Sequence, residues 1–200
     1  MPTSENTAWN GGFWTNRYKQ AQTGWDLGAP STPLKSYIDQ LSQKDMAILI
    51  PGAGNAYEAE YLHRQGFTQV TVMDLSAEPL ENLKQRCPEF PEDHLVQGDF
   101  FAHQGSYDVI LEQTFFCALD PSLREAYVEQ MAAILKPQGH LAGVLFDIPL
   151  NSDHPPFGGN RDSYRTLFEP HFHFHTWETC YNSIPPRAGN ELWINLQPKR

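Results

Sequence analysis

Five short apolar runs, at residues 46–50, 70–73, 94–97, 107–111 and 141–146, punctuate the middle of the chain. Runs of this length, bounded by Gly, Asp or Gln, read as strands buried on both faces. Segments of helical character lie between them. Residues 56–65 form one, with Gly66 placed to end it; Ser76 caps a second, which carries Pro79 early and reaches Cys87. Asp120-Pro121 opens a third, with apolar positions at Ala126, Met131, Ile134 and Leu135, and Lys136-Pro137-Gln138-Gly139 reads as the turn into the fifth strand. Strand and helix in alternation predict an α/β fold, a doubly wound Rossmann-like sheet that is mostly parallel and covered on both faces. The final fifty residues differ. Residues 148–163 are a loop rich in Pro, Gly, Asp and Asn, 161–168 suit a short helix, and 172–180 and 191–196 alternate like strands around a Pro-rich turn at 183–186. These two strands complete seven and predict an antiparallel hairpin closing one edge.

Charge narrows the range of partners. The 200 residues carry 14 Lys and Arg against 24 Asp and Glu, a net charge of −10. Such a body repels phosphate backbones and anionic lipid, so neither nucleic acid nor a membrane surface is an expected partner. No apolar run approaches the ~20 residues of a membrane span, and the first residues lack the pattern of a secretory leader. Three widely spaced cysteines, Cys87, Cys117 and Cys180, fit a reducing compartment. The expectation is one cytoplasmic domain, monomeric or weakly dimeric, with residues 1–44 as an amino-terminal lid and helix and 45–200 as a ligand-binding core.

The first strand runs directly into Gly52-Ala53-Gly54, and Asp74 ends the second strand, twenty-two residues past Gly52. Glycine permits close backbone approach to a ligand, and a carboxylate at the end of the second strand can grip both hydroxyls of a ribose. Position 57 is Tyr rather than a third glycine, and no Lys-Ser/Thr pair follows the loop. A ribose carboxylate without a pyrophosphate cradle points to an adenosine ligand lacking phosphates, of which S-adenosylmethionine is the commonest. Gly98-Asp99-Phe100 then suits the adenine, with Asp99 accepting from the exocyclic amine and Phe100 packing on the ring.

Several segments carry a resemblance. Residues 25–33, Trp-Asp-Leu-Gly-Ala-Pro-Ser-Thr-Pro, the glycine loop, Phe115-Phe116-Cys117-Ala118-Leu119 before Asp120-Pro121, His154-Pro155-Pro156-Phe157 and Asn182-Ser183-Ile184-Pro185-Pro186-Arg187-Ala188-Gly189 are together similar to the thiopurine, thiol and halide methyltransferases, a branch of the class I S-adenosylmethionine-dependent enzymes. The resemblance spans almost the whole chain. It implies methyl transfer from S-adenosylmethionine to a small soft nucleophile: a thiol, a related sulfur or selenium species, or a halide. In plant members three tryptophans spaced by four and then seven residues line the cofactor site; the matching places here are Trp14, Tyr18 and Trp25. Aromatic faces attract the sulfonium charge, each worth about 0.5–2 kcal/mol.

The resemblance thus implies cofactor contacts from Trp14, Tyr18, Trp25, Gly52, Gly54, Asp74, Leu75, Asp99, Phe100 and Gln113. Gln113 and Phe115 take the catalytic places. Gln113 departs from the pattern, because thiol and halide relatives have tyrosine there and thiopurine relatives arginine, so the acceptor stays open. The reaction implied is an in-line displacement in a dry pocket, with Phe115, Phe116 and the 157–159 segment as apolar walls. A thiol is already a few per cent thiolate at neutral pH, so no strong base is needed. Arg165 and Arg187 are candidates to reach an anionic acceptor. Two alternatives remain: methylation of an unrelated small molecule, and a non-catalytic S-adenosylmethionine sensor. His171, His173 and His175 share one face of a strand, but Phe172 and Phe174 face the core, so no metal is expected.

Overall fold

The computed structural model describes residues 2–199. Seven strands form a single sheet in the order β3-β2-β1-β4-β5-β7-β6. They are β1 (Ala47–Pro51), β2 (Gln69–Asp74), β3 (Leu95–Gln97), β4 (Tyr107–Gln113), β5 (Leu135–Phe146), β6 (Phe172–Thr179) and β7 (Glu191–Pro198). The first five pair in parallel, and β7 runs antiparallel to both β5 and β6. The helices are α1 (Gly11–Lys19), α2 (Thr32–Ile38), α3 (Tyr57–Arg64), α4 (Ala77–Arg86), α5 (Arg124–Ile134) and α6 (Arg161–Phe168).

Alternation along each strand divides the core in two. Ile48, Ile50, Val70, Val72, Val109 and Leu111 face α2, α3 and α4 through Leu34, Ile38, Ala59, Leu62, Leu80 and Leu83. Leu49, Met73, Ile110 and Leu141 face the other way, toward Tyr127, Val128 and Met131 of α5 and Phe168 of α6. Both faces of the central strands are therefore buried, which is why they read as unbroken apolar runs. Among the described residues no helix is long and apolar enough to cross a membrane.

Two expectations about local structure change. Residues 136–139 are extended, so β5 begins at Leu135, directly after α5. Lys136 is drawn to the Asp108 carboxylate at 2.7 Å, and a Cβ on Gly139 would sit 2.7 Å from the Tyr107 carbonyl oxygen. The register of β4 against β5 shifts between Tyr107 and Val109, which absorbs the Pro-Gln-Gly insertion as a bulge. At the other site, Asp120-Pro121 starts a 3-10 turn, with the Asp120 carboxylate accepting from Ser122 N at 2.9 Å, and the α-helix proper begins at Arg124.

Candidate functional site

Strand order reverses between β1 and β4, and a parallel sheet opens a crevice at such a point, beyond the carboxyl ends of its strands. A cavity of about 350 Å³ lies there. Its floor is the turn after β1. Gly52 and Gly54 both have positive φ, +55° and +54°. At Gly52 space is decisive as well, since a Cβ would fall 2.2 Å from the Phe115 ring. The floor and the turn after β4 are thus pressed together, and Phe115 forms the wall between them.

Asp74, at the end of β2, closes the adjoining side. Its Oδ2 accepts from Gly54 N at 3.1 Å and its Oδ1 from Ser76 N at 2.9 Å. The carboxylate therefore fixes the glycine turn and the start of α4 while its remaining lone pairs meet the cavity. Burial pushes its pKa up to about 6, against the opposing pull of the Ser76, Gly54 and Leu75 N–H groups.

The roof comes from the amino terminus. Asn10 caps α1 by accepting from Phe13 N at 3.1 Å. Trp14 and Tyr18, one turn apart, project from the same face of that helix. Trp25 meets both rings edge-on, at centroid distances of 5.5 and 5.8 Å. A Cβ on Gly54 would lie 3.2 Å from the Tyr18 hydroxyl and 3.7 Å from the Trp25 indole nitrogen, so both rings close over this turn. Burial and the Asp74 charge raise the phenol far above its ordinary range, so Tyr18 presents a neutral, electron-rich ring. No residue of α1 is fully buried, as befits a helix lying over a cavity rather than in a core.

Trp14, Tyr18, Trp25, Gly52, Gly54, Asp74, Leu75 and Phe115 all line this one cavity. Asp99, Phe100 and Gln113 are not among its lining residues. Asp99 has other work: its Oδ2 accepts from Thr3 Oγ1 and from Ser4 N at 2.7 Å, and its Oδ1 from Phe101 N at 3.1 Å. It latches the amino-terminal segment to the sheet, and Ser4, next to that latch, reaches the lining. Phe100 packs into the core against Phe115 and Tyr127. Gln113 ends β4 with its Oε1 buried and unpartnered. Phe116 also belongs to the core, between Tyr127, Tyr164 and Phe168, and Phe157 meets the site through Trp9 at 6.0 Å.

Glu112, fully buried beneath the site, anchors the turn after β4. Its Oε1 accepts from Phe115 N at 2.8 Å and Phe116 N at 3.0 Å, and its Oε2 from the Tyr127 hydroxyl. Burial pushes its pKa up to about 7. Glu112→Ala strands two N–H groups and a phenol, so a loss of about 2–4 kcal/mol is expected in urea unfolding. Glu112→Gln, which keeps an acceptor for the backbone, loses less.

Two arginines complete the lining. Arg17 approaches Trp25 and Phe13 at 6.0 and 5.7 Å, and its Nε is buried without a hydrogen-bond partner. It sits between Trp14 and Tyr18 in sequence, and nothing in the spacing marks it out. Arg187 is 11% exposed; it donates to the Trp25 carbonyl at 3.3 Å, lies 5.5 Å over the Phe146 ring, and meets Glu191 at a long 3.5 Å. Arg165, the other candidate, is instead 4.7 Å over the Phe174 ring. Cys117 lines the wall as a neutral thiol, pushed up to about 12 by burial and by the Glu112 charge. The site offers an aromatic roof for a cation, a carboxylate for hydroxyls, and two arginines in a largely apolar lining.

A family model described as thiopurine S-methyltransferase matches residues 9–193. A probable thiol methyltransferase 2 of Arabidopsis thaliana is 27% identical over 195 residues, covering 94% of this chain and 84% of that protein. Thiocyanate methyltransferase 1 of the same plant is 25% identical over 187 residues, covering 90% and 82%. Among solved structures, a 1,6-didemethyltoxoflavin-N1-methyltransferase of Burkholderia thailandensis superposes with a TM-score of 0.74 at 18% identity, over 94% of this chain and 86% of its own. That last likeness concerns the fold.

Proposed function

Since the chain belongs to the thiopurine S-methyltransferase family of S-adenosylmethionine-dependent methyltransferases, we propose that it methylates a small, soft, anionic nucleophile such as a thiolate, hydrosulfide, thiocyanate or halide. The residues fit the cofactor. Asp74 takes the ribose hydroxyls, the Gly52–Gly54 turn brings bare backbone to the cavity floor, and Trp14, Tyr18 and Trp25 face the sulfonium. Arg17, with its unpartnered Nε, suits the carboxylate of the donor's amino-acid end. S-adenosylmethionine supplies an electrophilic methyl carbon on a positively charged sulfur.

The chain does the rest by position and by excluding water. A single displacement makes the nucleophile–carbon bond as the sulfur–carbon bond breaks, and the acceptor's negative charge and the donor's positive charge cancel. Charge that disappears at the transition state is favoured by a dry site, and Phe115, Leu119, Leu123 and Phe146 supply one. Cys117 remains protonated and does not compete for the methyl group.

Arg187 is the observation that carries the acceptor assignment: a guanidinium on the cavity wall whose one ion pair among the described residues is the long one to Glu191, at 3.5 Å. We therefore give it, rather than Gln113, the acceptor-facing role. The relatives named for thiol and thiocyanate methylation support an acceptor of this class. Arg187→Gln is expected to lower kcat/KM for thiocyanate or hydrosulfide at least tenfold and to leave S-adenosylhomocysteine affinity within twofold. Methyl-labelled cofactor with a panel of thiols, thiocyanate, iodide and thiopurines tests the reading. Turnover of none of them, with cofactor still bound, contradicts it.

A pH dependence follows from Asp74. Ribose hydroxyls donate to the ionised carboxylate, so binding selects the deprotonated form. With a free-enzyme pKa of about 6, affinity holds above pH 7 and falls as acid protonates the group. Calorimetry is expected to find S-adenosylhomocysteine bound about tenfold more weakly at pH 5 than at pH 7.5.

A further inference from the structure

Helices α3 and α4 begin at the carboxyl ends of β1 and β2, beside the methyl-transfer cavity, and run back antiparallel to the strands. Their carboxyl ends therefore meet at the opposite end of the sheet. His63 lies in the last turn of α3, Cys87 is the carboxyl-terminal cap of α4, and Glu89 follows two residues later. The turn from Cys87 to Phe90, closed by Phe90 N donating to Cys87 O at 2.9 Å, brings Glu89 back over Cys87. A ligating atom from each of His63, Cys87 and Glu89 lies within 4.8 Å of the other two, and among the described residues no other trio of His, Cys, Asp or Glu gathers so closely. By contrast, His173 and His175 are exposed on β6, with His175 Nε2 engaged by Gln197 at 2.9 Å.

We infer that His63, Cys87 and Glu89 form a binding site for a borderline-soft divalent cation of the zinc class, remote from the methyl-transfer cavity. A tetrahedral zinc ion with nitrogen, sulfur and oxygen ligands has ligand–ligand edges of about 3.5 Å. The trio reaches this by small side-chain rotations, because Glu89 is exposed and His63 half-buried. The imidazole is already steered by the Phe90 ring at 5.4 Å. A second cavity, about 200 Å³ and lined by His63, Phe67, Phe90 and His94, opens beside the imidazole. The donor set is selective. A thiolate and an imidazole disfavour magnesium and calcium, which want oxygen, and favour zinc, cobalt or cadmium.

Charge and protons balance. In the metal-free protein Cys87 is a buried free thiol. Binding replaces the thiol proton with the metal and releases it to solvent, so thiolate and carboxylate together neutralise the dication. The metal would clamp the ends of α3 and α4 and the connection toward β3, the parts of the chain that carry the glycine turn and Asp74 at their other ends.

The test is titration of reduced, metal-free protein with cobalt(II), followed by displacement with zinc. One equivalent is expected to give thiolate-to-cobalt charge-transfer absorption and the visible bands of four-coordinate cobalt. Cys87→Ala is expected to abolish the charge-transfer band although Cys117 and Cys180 remain; His63→Gln and Glu89→Gln weaken binding at least tenfold. S-adenosylhomocysteine affinity stays unchanged in all three, which reports that they fold, and zinc raises the Tm of the wild type alone. A wild-type protein that gives no such band at millimolar cobalt overturns the site. So does a band that survives Cys87→Ala, or, where that variant does not fold, cobalt affinity unaltered by His63→Gln and Glu89→Gln.

Discussion

Asp74→Ala is expected to weaken S-adenosylhomocysteine binding by ten- to a hundredfold, as read by calorimetry at pH 7.5. Hydrogen bonds from ribose hydroxyls to a carboxylate are charge-assisted, and losing them costs about 1.5–3 kcal/mol, where 1.4 kcal/mol is a factor of ten. The same side chain also accepts from Gly54 N and Ser76 N, so its removal loosens the turn that shapes the cavity floor. Asp74→Asn separates the two contributions: its amide oxygen keeps an acceptor for one backbone N–H and loses the charge. An affinity for Asp74→Asn close to that of Asp74→Ala assigns the loss to the carboxylate itself. An affinity for Asp74→Ala equal to wild type removes Asp74 from the cofactor site.

Gly52→Ala is expected to have the larger structural effect. At φ +55° an L-residue pays about 1–2 kcal/mol, and the new Cβ would stand 2.2 Å from the Phe115 ring. Phe115 cannot retreat easily, because its backbone N–H is bound to Glu112 and its ring packs on Phe100 and Tyr127. Overpacking of this kind costs about 1–3 kcal/mol more. Urea unfolding is therefore expected to show a loss of about 2–5 kcal/mol, with cofactor affinity falling in parallel as the wall is displaced. Gly66→Ala is the control. Gly66 also has positive φ, +85°, but open space around its Cβ position, so only the backbone contribution remains.

What the residues reveal by themselves follows the range of the interactions. The parallel half of the sheet was legible because its strands are buried on both faces, and the glycine turn and Asp74 stand at fixed offsets from them. The aromatic roof was legible only through the resemblance, which matches Trp14, Tyr18 and Trp25 to three tryptophans of the plant enzymes. The bulge at 136–139 was not, because Pro and Gly signal a turn locally while the pairing with β4 and the Lys136–Asp108 contact are tertiary. Asp99 was legible from its place after β3, but its hydrogen bonds to Thr3 and Ser4, more than ninety residues away, are tertiary and leave no local signal.

Arg187 entered as one candidate of two. Its position depends on β7 inserting between β5 and β6, so that Glu191 pairs with Phe146 and the preceding turn is carried over the carboxyl end of β5. A hairpin prediction gives the two strands but not which one pairs inward. Gln113, singled out because it departs from the family pattern, illustrates the converse. Its strand position was read correctly, whereas the lining beside it is supplied by Thr114 and Phe115.

The most direct measurement is a crystal structure of the protein with S-adenosylhomocysteine. The account predicts the nucleoside in the crevice between β1 and β4, both ribose hydroxyls within hydrogen-bond distance of Asp74, and the sulfur facing Trp14, Tyr18 and Trp25. A ligand bound elsewhere, or in this crevice with its ribose away from Asp74, would contradict it.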